Sequence, residues 1–383
     1  MATPNQPVLG VLGKSRKIDE YRVPIHPAHL ERIDPGVRDR LLLEEGYGER
    51  FGYTDADLAA LVRQVAPRQQ VIDASDTVLL AKPQARDLQD LHEGQALWGW
   101  PHCVQDRELT QLAIDKRLSL IAFEAMNHWA SDGGFSLHVF HKNNELAGYS
   151  SVIHAMGLAG ITGDYGRRLT AVVIGFGATA RGAVTALRAH GILDVRVLTN
   201  RRVASVASPI HSAQMIQFDH DGGPYLSEVI TDDRGRVPLA PFLAESDIVV
   251  NCTLQDPNDT LLYLRTEDLA AFSPGSLIVD VSCDAGMAFD WARPTSFADP
   301  MFTVGKDIDY YAVDHSPSYL WNSASWEISE AVLPFLDLVM SGPAAWKDSE
   351  TLTRAIEVRD GVVLNPAILE FQQRRPEYPH LPR

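Results

Sequence analysis

The sequence predicts an α/β protein of two domains, one inserted into the other. Three observations lead there. From Leu169 to Thr199 the chain reads as strand, glycine-containing turn, helix and strand. Ahead of that unit, short apolar runs alternate with helical patterns, the periodicity of a parallel sheet with crossover helices. Behind it come two more buried-strand runs, Asp247–Cys252 and Ser276–Val281. At 383 residues the chain is too long for one compact core.

Composition narrows the function classes. The hydrophobic share of 45% and charged share of 22% are those of an ordinary globular protein. A net charge of −16 argues against a nucleic-acid partner, since phosphate binding needs a basic face. The start, MATPNQPVLG, shows no signal-peptide pattern, and no apolar run is long enough for a membrane span. Cys103, Cys252 and Cys283 are scattered, which suits neither a disulfide framework nor a metal pair. A cytoplasmic setting is expected, with no metal.

The first region is read in order. Pro7–Leu12 is a strand, and Pro27 opens a helix toward Ile33. Leu41–Glu44 is a second strand, Glu45–Thr54 a loop, and Asp55–Val65 a helix. Three apolar runs follow: Thr77–Leu80, Ala96–Trp100 and Leu118–Phe123. They deliver Lys82, His102 and Glu124 at their C-terminal ends, the side of an open α/β sheet where ligands bind. A helix over 144–158, with Asn144 as its N-cap, leads into the central unit.

In that unit Gly175, Gly177 and Ala180 stand at the spacing G-x-G-x-x-A between strand and helix. Gly175 permits the tight turn, Gly177 lets backbone approach a pyrophosphate, and Ala180 lets helix and strand pack closely. The segment is therefore a Rossmann fingerprint. The second strand ends in Thr199-Asn200-Arg201-Arg202, where a carboxylate would bond the ribose hydroxyl of NAD. With no carboxylate and two guanidiniums, NADP(H) is preferred and NAD(H) remains possible. Candidate cofactor contacts are Gly175, Gly177, Ala178, Thr179 and Ala180 in the turn, Asn200, Arg201 and Arg202 beyond it, and Asn251, Cys283 and Asp314 at later strand ends.

After the Rossmann strands, residues 205–243 read as part strand and part irregular insertion. Ser325–Met340 is a helix that Pro334 can kink, and Ala355–Arg383 a helix and tail. The expected division is residues 1–145 as the first part of an α/β substrate domain, 146–309 as the Rossmann domain, and 310–383 as the return to the substrate domain.

These residues resemble the alanine dehydrogenase and pyridine-nucleotide transhydrogenase superfamily. The general features are Tyr21-Arg22-Val23 with Pro27, Lys82-Pro83, Gly94-Gln95 ahead of His102, and Ile121–Glu124. Within it the chain is most similar to N5-(carboxyethyl)ornithine synthases, through His138–Gly148, Ala178–Ala183, Val279–Asp284 and Val313–Ser318; the last stretch is also similar to lysine-forming saccharopine dehydrogenases. It departs from the ornithine-synthase pattern in extra residues around 205–239, in the aromatic Trp98–Cys103 run, and in Ala285–Asp290, where a Gly-Gly pair is expected.

The resemblance implies an NAD(P)-linked enzyme that reductively condenses an amino acid with a small 2-oxo acid such as pyruvate. Arg22 suits the oxo-acid carboxylate, because a guanidinium grips it bidentately. Lys82, partly desolvated at a strand end, suits the carbonyl or imine. His102 suits proton transfer. Glu124 could orient either one, and Asp284 matches an active-site aspartate of alanine dehydrogenases. Each has a plain alternative as a solvated or strand-end residue. The Asn143–Glu145 run is implied to contact cofactor or substrate. Alanine dehydrogenase, with ammonia as the amine, is the second reading, and a non-catalytic dinucleotide-binding regulator the third. A homo-oligomer is expected.

Overall fold

The computed structural model describes residues 7–200, 210, 213–220, 227–255 and 260–383. Contacts group the chain into two units, Met1–His141 with Trp321–Arg383, and Lys142–Leu320.

Six parallel strands build most of the first unit's main sheet: β1 (Leu9–Val11), β2 (Leu41–Glu44), β3 (Gln64–Ala66), β4 (Thr77–Leu79), β5 (Ala96–Gly99) and β6 (Ser119–Ala122). A hairpin of β7 (Asn127–Trp129) and β8 (Phe135–His138) follows. The region 55–65 is not one helix. The helix covers Asp55–Ala59, closed at its start by a Thr54/Asp57 capping box, and β3 begins at Gln64. Val65 pairs with Leu43, so strand pairing overrides the helical pattern there.

The second unit opens in the helix His141–Leu158. Asn144 is therefore not its N-cap but lies in its first turn. The strands are β9 (Thr170–Ile174), β10 (Asp194–Thr199), β11 (Gln214–His220), β12 (Ser227–Thr231), β13 (Gly235–Pro238), β14 (Ile248–Asn251), β15 (Leu262–Leu264), β16 (Leu277–Asp280), β17 (Ala288–Phe289), β18 (Met301–Val304) and β19 (Ile308–Tyr311). Nine of them form one sheet in the order β13-β12-β11-β10-β9-β14-β16-β19-β18. β11 runs parallel to β10, while β12 and β13 add an antiparallel meander, so the described part of the extra segment widens the sheet. Because β19 belongs to this sheet, the chain changes units at Trp321 and not at residue 310.

The C-terminal segment also differs from expectation. It contains β20 (Ile356–Arg359) and β21 (Val362–Val363) ahead of a short helix, Pro366–Phe371. β20 pairs antiparallel with β6, completing the order β21-β20-β6-β5-β4-β1-β2-β3. The helix after Trp321 runs to Val332, gives way to a single turn at Leu333–Phe335, and resumes over Leu336–Met340. Pro334 lies in that turn, where its ring and missing N–H forbid a continuous ladder.

Both main sheets are buried on both faces, as parallel sheets are. Trp98, Phe123, Phe140 and Trp346 pack on one face of the first, and Leu42, Leu88, Leu97 and Leu120 on the other. In each sheet the strand order reverses beside a central strand, β1 against β4 and β9 against β14. Ligand sites in such sheets lie at the C-terminal ends beside that reversal.

Candidate active site

Lys82 follows β4, beside the reversal in the first unit. The Ser15 hydroxyl, from the loop after β1, donates to the Lys82 carbonyl and so ties the two strand ends together. His102 follows β5 and Glu124 follows β6. The three residues thus leave adjacent parallel strands at the same end of the sheet.

His102 has a left-handed backbone, φ 48°, which costs a non-glycine residue of the order of 1 kcal/mol. Hydrogen bonds hold that geometry. The His102 N–H donates to Glu124 Oε1 at 2.7 Å, and its carbonyl accepts from the N–H groups of Gln105 at 3.1 Å and Asp106 at 3.0 Å. The imidazole Nδ1 is 3.8 Å from Glu124 Oε1 and its side chain is 44% exposed. His102 and Cys103 therefore sit in a turn beyond the strand, not on it. The Cys103 thiol is buried, and burial pushes its pKa up, which leaves it unreactive.

Glu124 is held well above the usual carboxylate range. Burial is the main cause and the carboxyl of Glu357 the next, while the His102 N–H and the charge of Lys82 pull the other way. His138 Nε2 lies 3.2 Å from the Glu124 carbonyl oxygen, and burial pushes its pKa down.

Arg22 is buried, 5% exposed, and bound to Glu20 through Nε at 2.7 Å and Nη2 at 2.5 Å. Its guanidinium lies 5.3 Å from the centre of the Trp100 ring, two residues before His102. Trp100 stacks edge-on against Phe123, next to Glu124. A chain of contacts thus joins Arg22 to the β5 and β6 ends.

The second unit carries the cofactor candidates. Gly175 follows β9 with φ 112°, and a Cβ there would stand 2.9 Å from the Cys252 carbonyl oxygen; only glycine fits. Gly177 is the N-cap of the helix Ala178–Ala189 and offers no side-chain cap. A Cβ on Gly177 would meet nothing within 4 Å. The first-turn N–H groups of Ala178, Thr179 and Ala180, which have no intrahelical acceptor, therefore open beside uncluttered space, and this fits an anionic pyrophosphate. A Cβ on Gly182 would stand 1.7 Å from the Glu145 carbonyl oxygen, so this helix touches His141–Leu158 backbone to backbone.

Asn251 and Cys283 converge on a third residue, Asp280. Its Oδ1 accepts from Asn251 Nδ2 at 2.9 Å and from the Cys283 N–H at 3.0 Å, and its Oδ2 accepts from Tyr310 at 2.6 Å. Burial pushes Asp280 up to about 6, and the nearby charge of Asp284 adds to the rise. Asn251 Oδ1 also accepts from the Thr253 hydroxyl at 2.7 Å. Its amide thus orders the loop beyond β14. Asp284 is half-buried and Asn200 is exposed at the end of β10. Asp314 Oδ1 lies 2.6 Å from His315 Nδ1, with the His315 side chain buried. Arg201 and Arg202 lie outside the described residues. Among the described residues no group of His, Cys, Asp and Glu is arranged to hold a metal, and no helix is long and apolar enough to cross a membrane.

Glu20, Glu357, Asp280 and Tyr310 are not among the residues that the sequence singled out. Glu20 has a local signal, since residues two apart on an extended chain share a side. Glu357 shows as a lone acid between apolar neighbours, Ile356 and Val358.

The family model for the N-terminal domain of alanine dehydrogenase/PNT matches residues 11–147, and that for the C-terminal domain matches residues 150–366. The chain belongs to the alanine dehydrogenase/PNT family. It is an oxidoreductase of that family, with a nicotinamide-dinucleotide-binding Rossmann unit. An alanine dehydrogenase from Halomonas elongata is 28% identical over 374 residues, covering 93% of this chain and 95% of its own. An N(5)-(carboxyethyl)ornithine synthase from Clostridium botulinum is 25% identical over 330 residues, covering 82% and 89%. A solved L-alanine dehydrogenase has a TM-score of 0.74 at 19% identity, covering 95% of this chain and 98% of its own. A transhydrogenase from Sinorhizobium meliloti gives 0.69 at 19%, covering 94% and 99%. These two structures establish the shared alanine dehydrogenase/PNT fold.

Proposed function

We propose that this family member reductively condenses an amino acid with a small 2-oxo acid such as pyruvate, using NADP(H). The observation that carries the reading is the delivery of Lys82, His102 and Glu124 from adjacent strand ends, with Arg22 linked to the same ends through Trp100. Arg22 binds the oxo-acid carboxylate, and Glu20 fixes the plane of its guanidinium. Lys82 donates to the carbonyl oxygen and draws charge from the carbon that the amine attacks. His102 takes the proton from the attacking nitrogen and returns it to the departing hydroxyl, so that water leaves and an imine remains. When bound, the nicotinamide supplies hydride to that imine carbon.

Gly175, Gly177, Ala178, Thr179 and Ala180 would hold the pyrophosphate, and Asn200, Arg201 and Arg202 the adenosine ribose with its 2′-phosphate. Asn251 and Cys283, ordered by Asp280, would shape the nicotinamide side, with Asp284 and Asp314 close to it. The absence of a carboxylate at Thr199–Arg202 supports NADP(H). Arg201→Asp should weaken NADPH binding and spare NADH.

Alanine dehydrogenase activity is the second reading. The Halomonas relative favours it, since that match spans nearly the whole of both chains. NADPH oxidation with pyruvate and a panel of amines separates the two. Turnover with ornithine or lysine but not ammonia supports the condensation, and turnover with ammonia alone supports alanine dehydrogenase. Tight NADPH binding without turnover on any pair would overturn both.

A further inference from the structure

The turn that presents the His102 imidazole is held from the far end of the chain. After the left-handed His102 the backbone curls into the helix Arg107–Asp115, whose N-cap is Asp106. The carbonyls of Cys103 and Val104 belong to neither a strand nor that helix. Cys103 is fully buried, so its carbonyl needs a donor from the protein. Gln372 supplies one. Its Nε2 donates to the Cys103 carbonyl at 2.6 Å and to that of Val104 at 3.3 Å. Thr110 Oγ1 lies 2.8 Å from the Cys103 carbonyl and 2.8 Å from that of Asp106, but a hydroxyl has one proton to give. When Thr110 bonds back to Asp106, as helical threonines do, the Gln372 amide serves Cys103.

That amide cannot face the other way. Arg374 Nε donates to Gln372 Oε1 at 2.6 Å, and Arg374 Nη1 donates to Gln111 Oε1 at 2.7 Å and to the His380 carbonyl at 3.2 Å. Both Gln372 and Arg374 are buried, and a buried guanidinium must keep acceptors around it. The Gln372 oxygen therefore faces Arg374, and its NH2 group faces the turn. A flipped amide would set N–H against N–H on one side and oxygen against oxygen on the other. The local backbone brings the two side chains together. The helix Pro366–Phe371 ends at Gln372, and Gln373 is left-handed at φ 52°. The N–H groups of Gln373 and Arg374 then return to the carbonyls of Glu370 at 3.1 Å and Leu369 at 2.8 Å. This kind of helix ending usually takes glycine, whereas here a glutamine bears the strain.

We propose that Gln372 is a positioning residue for His102: its amide, aimed by Arg374, holds the Cys103–Val104 turn and with it the direction of the imidazole. Glu124 fixes the turn through the His102 N–H, and Gln372 fixes it through the next two carbonyls. Gln372 is buried, so it acts through the turn and not on substrate. Its effect on rate rests on the proposed function; its effect on the ring does not.

The test is NMR of the full chain with carbon-13-labelled histidine, alongside steady-state kinetics, on Gln372→Met, Arg374→Lys and Ile368→Val. Methionine keeps the length of glutamine and removes the donor. Lysine keeps the charge but not the planar fork that aims the amide. Ile368 is buried one turn before Gln372 on the same helix, and its truncation reports loss of stability alone. The His102 ring signal, identified by its loss in His102→Asn, should shift in Gln372→Met, shift less in Arg374→Lys, and stay in place in Ile368→Val. In Gln372→Met kcat should fall about 10- to 100-fold while KM for the oxo acid and NADPH stays within about twofold. If Gln372→Met does not fold, Arg374→Lys decides. A native ring signal in the folded variants of Gln372 and Arg374, or a shifted ring with native kcat, would overturn the proposal. The same shift and rate loss in Ile368→Val would overturn it too. The expected ring shift in a protein silent on every substrate pair would uphold the positioning of His102 and overturn the proposed function.

Discussion

Glu124 Oε1 accepts the backbone N–H of His102 at 2.7 Å, whereas the imidazole Nδ1 stands 3.8 Å from the same oxygen. The acid grips the peptide more closely than the ring. It holds a strained backbone in place, and the ring side chain is 44% exposed. Backbone and ring can therefore be tested apart.

Asparagine tolerates left-handed backbone better than most residues. His102→Asn should keep the fold, with a melting temperature within a few degrees of native. Its kcat/KM should drop by about 10²–10⁴, the usual worth of a proton-transfer group. Thermal melts and initial rates of NADPH oxidation check the two halves. A variant with near-native rates would remove His102 from the chemistry.

Arg22 and Glu20 form an ion pair with side chains 4% and 1% exposed. Withdrawing one partner from a buried pair leaves the other charge uncompensated, at a cost of about 3 kcal/mol. Glu20→Gln should lower the urea midpoint accordingly. It should also raise KM for the oxo acid more than it lowers kcat, because the guanidinium loses its fixed plane.

Gly182 lies where two helices meet backbone to backbone. Gly182→Ala should cost about 1–3 kcal/mol by overpacking. The helix that moves starts at Gly177, so dinucleotide binding should weaken as well. A fluorescence titration with NADPH and a thermal melt read the two effects.

Asp280 ionises near pH 6 in the fold, against an ordinary value of 3.8. The folded state therefore holds a proton that the unfolded chain gives up earlier. This group's contribution is fully present below about pH 4 and is lost as pH rises through about 6. By the conversion of pKa shift to free energy the change is about 3 kcal/mol. Urea midpoints at pH 4, 5, 6 and 7, compared with those of Asp280→Asn, should show that decline in the native protein and its absence in the variant.

The strand ends bearing Lys82, His102 and Glu124 were legible in the sequence, because a parallel strand is a short apolar run and its end is marked by the first polar residues. The Rossmann turn was legible for the same reason, since glycine spacing is a local record of backbone approach. Glu357 was not legible. Its place depends on β20 pairing with β6 from the far end of the chain, and the sequence near Ala355 looks helical. Asp280 was hidden by its setting as the last residue of a buried run, where nothing nearby announces Tyr310 as its partner. The short helix after Asp55 was overextended because β3 shares its apolar spacing with a helical face.

The pairing of β20 with β6 also orders events during protein synthesis. β6 leaves the ribosome early, with one edge unpaired, and residues 142–320 all emerge before its neighbour exists. The second unit is contiguous and can complete itself while the first waits. Lys82, His102 and Glu124 are thus made long before β20 can pair with β6. In the meantime the bare edge is a surface on which another nascent chain could pair. A chain terminated after Leu320 would carry the whole contiguous second unit joined to a first sheet that lacks β20 and β21.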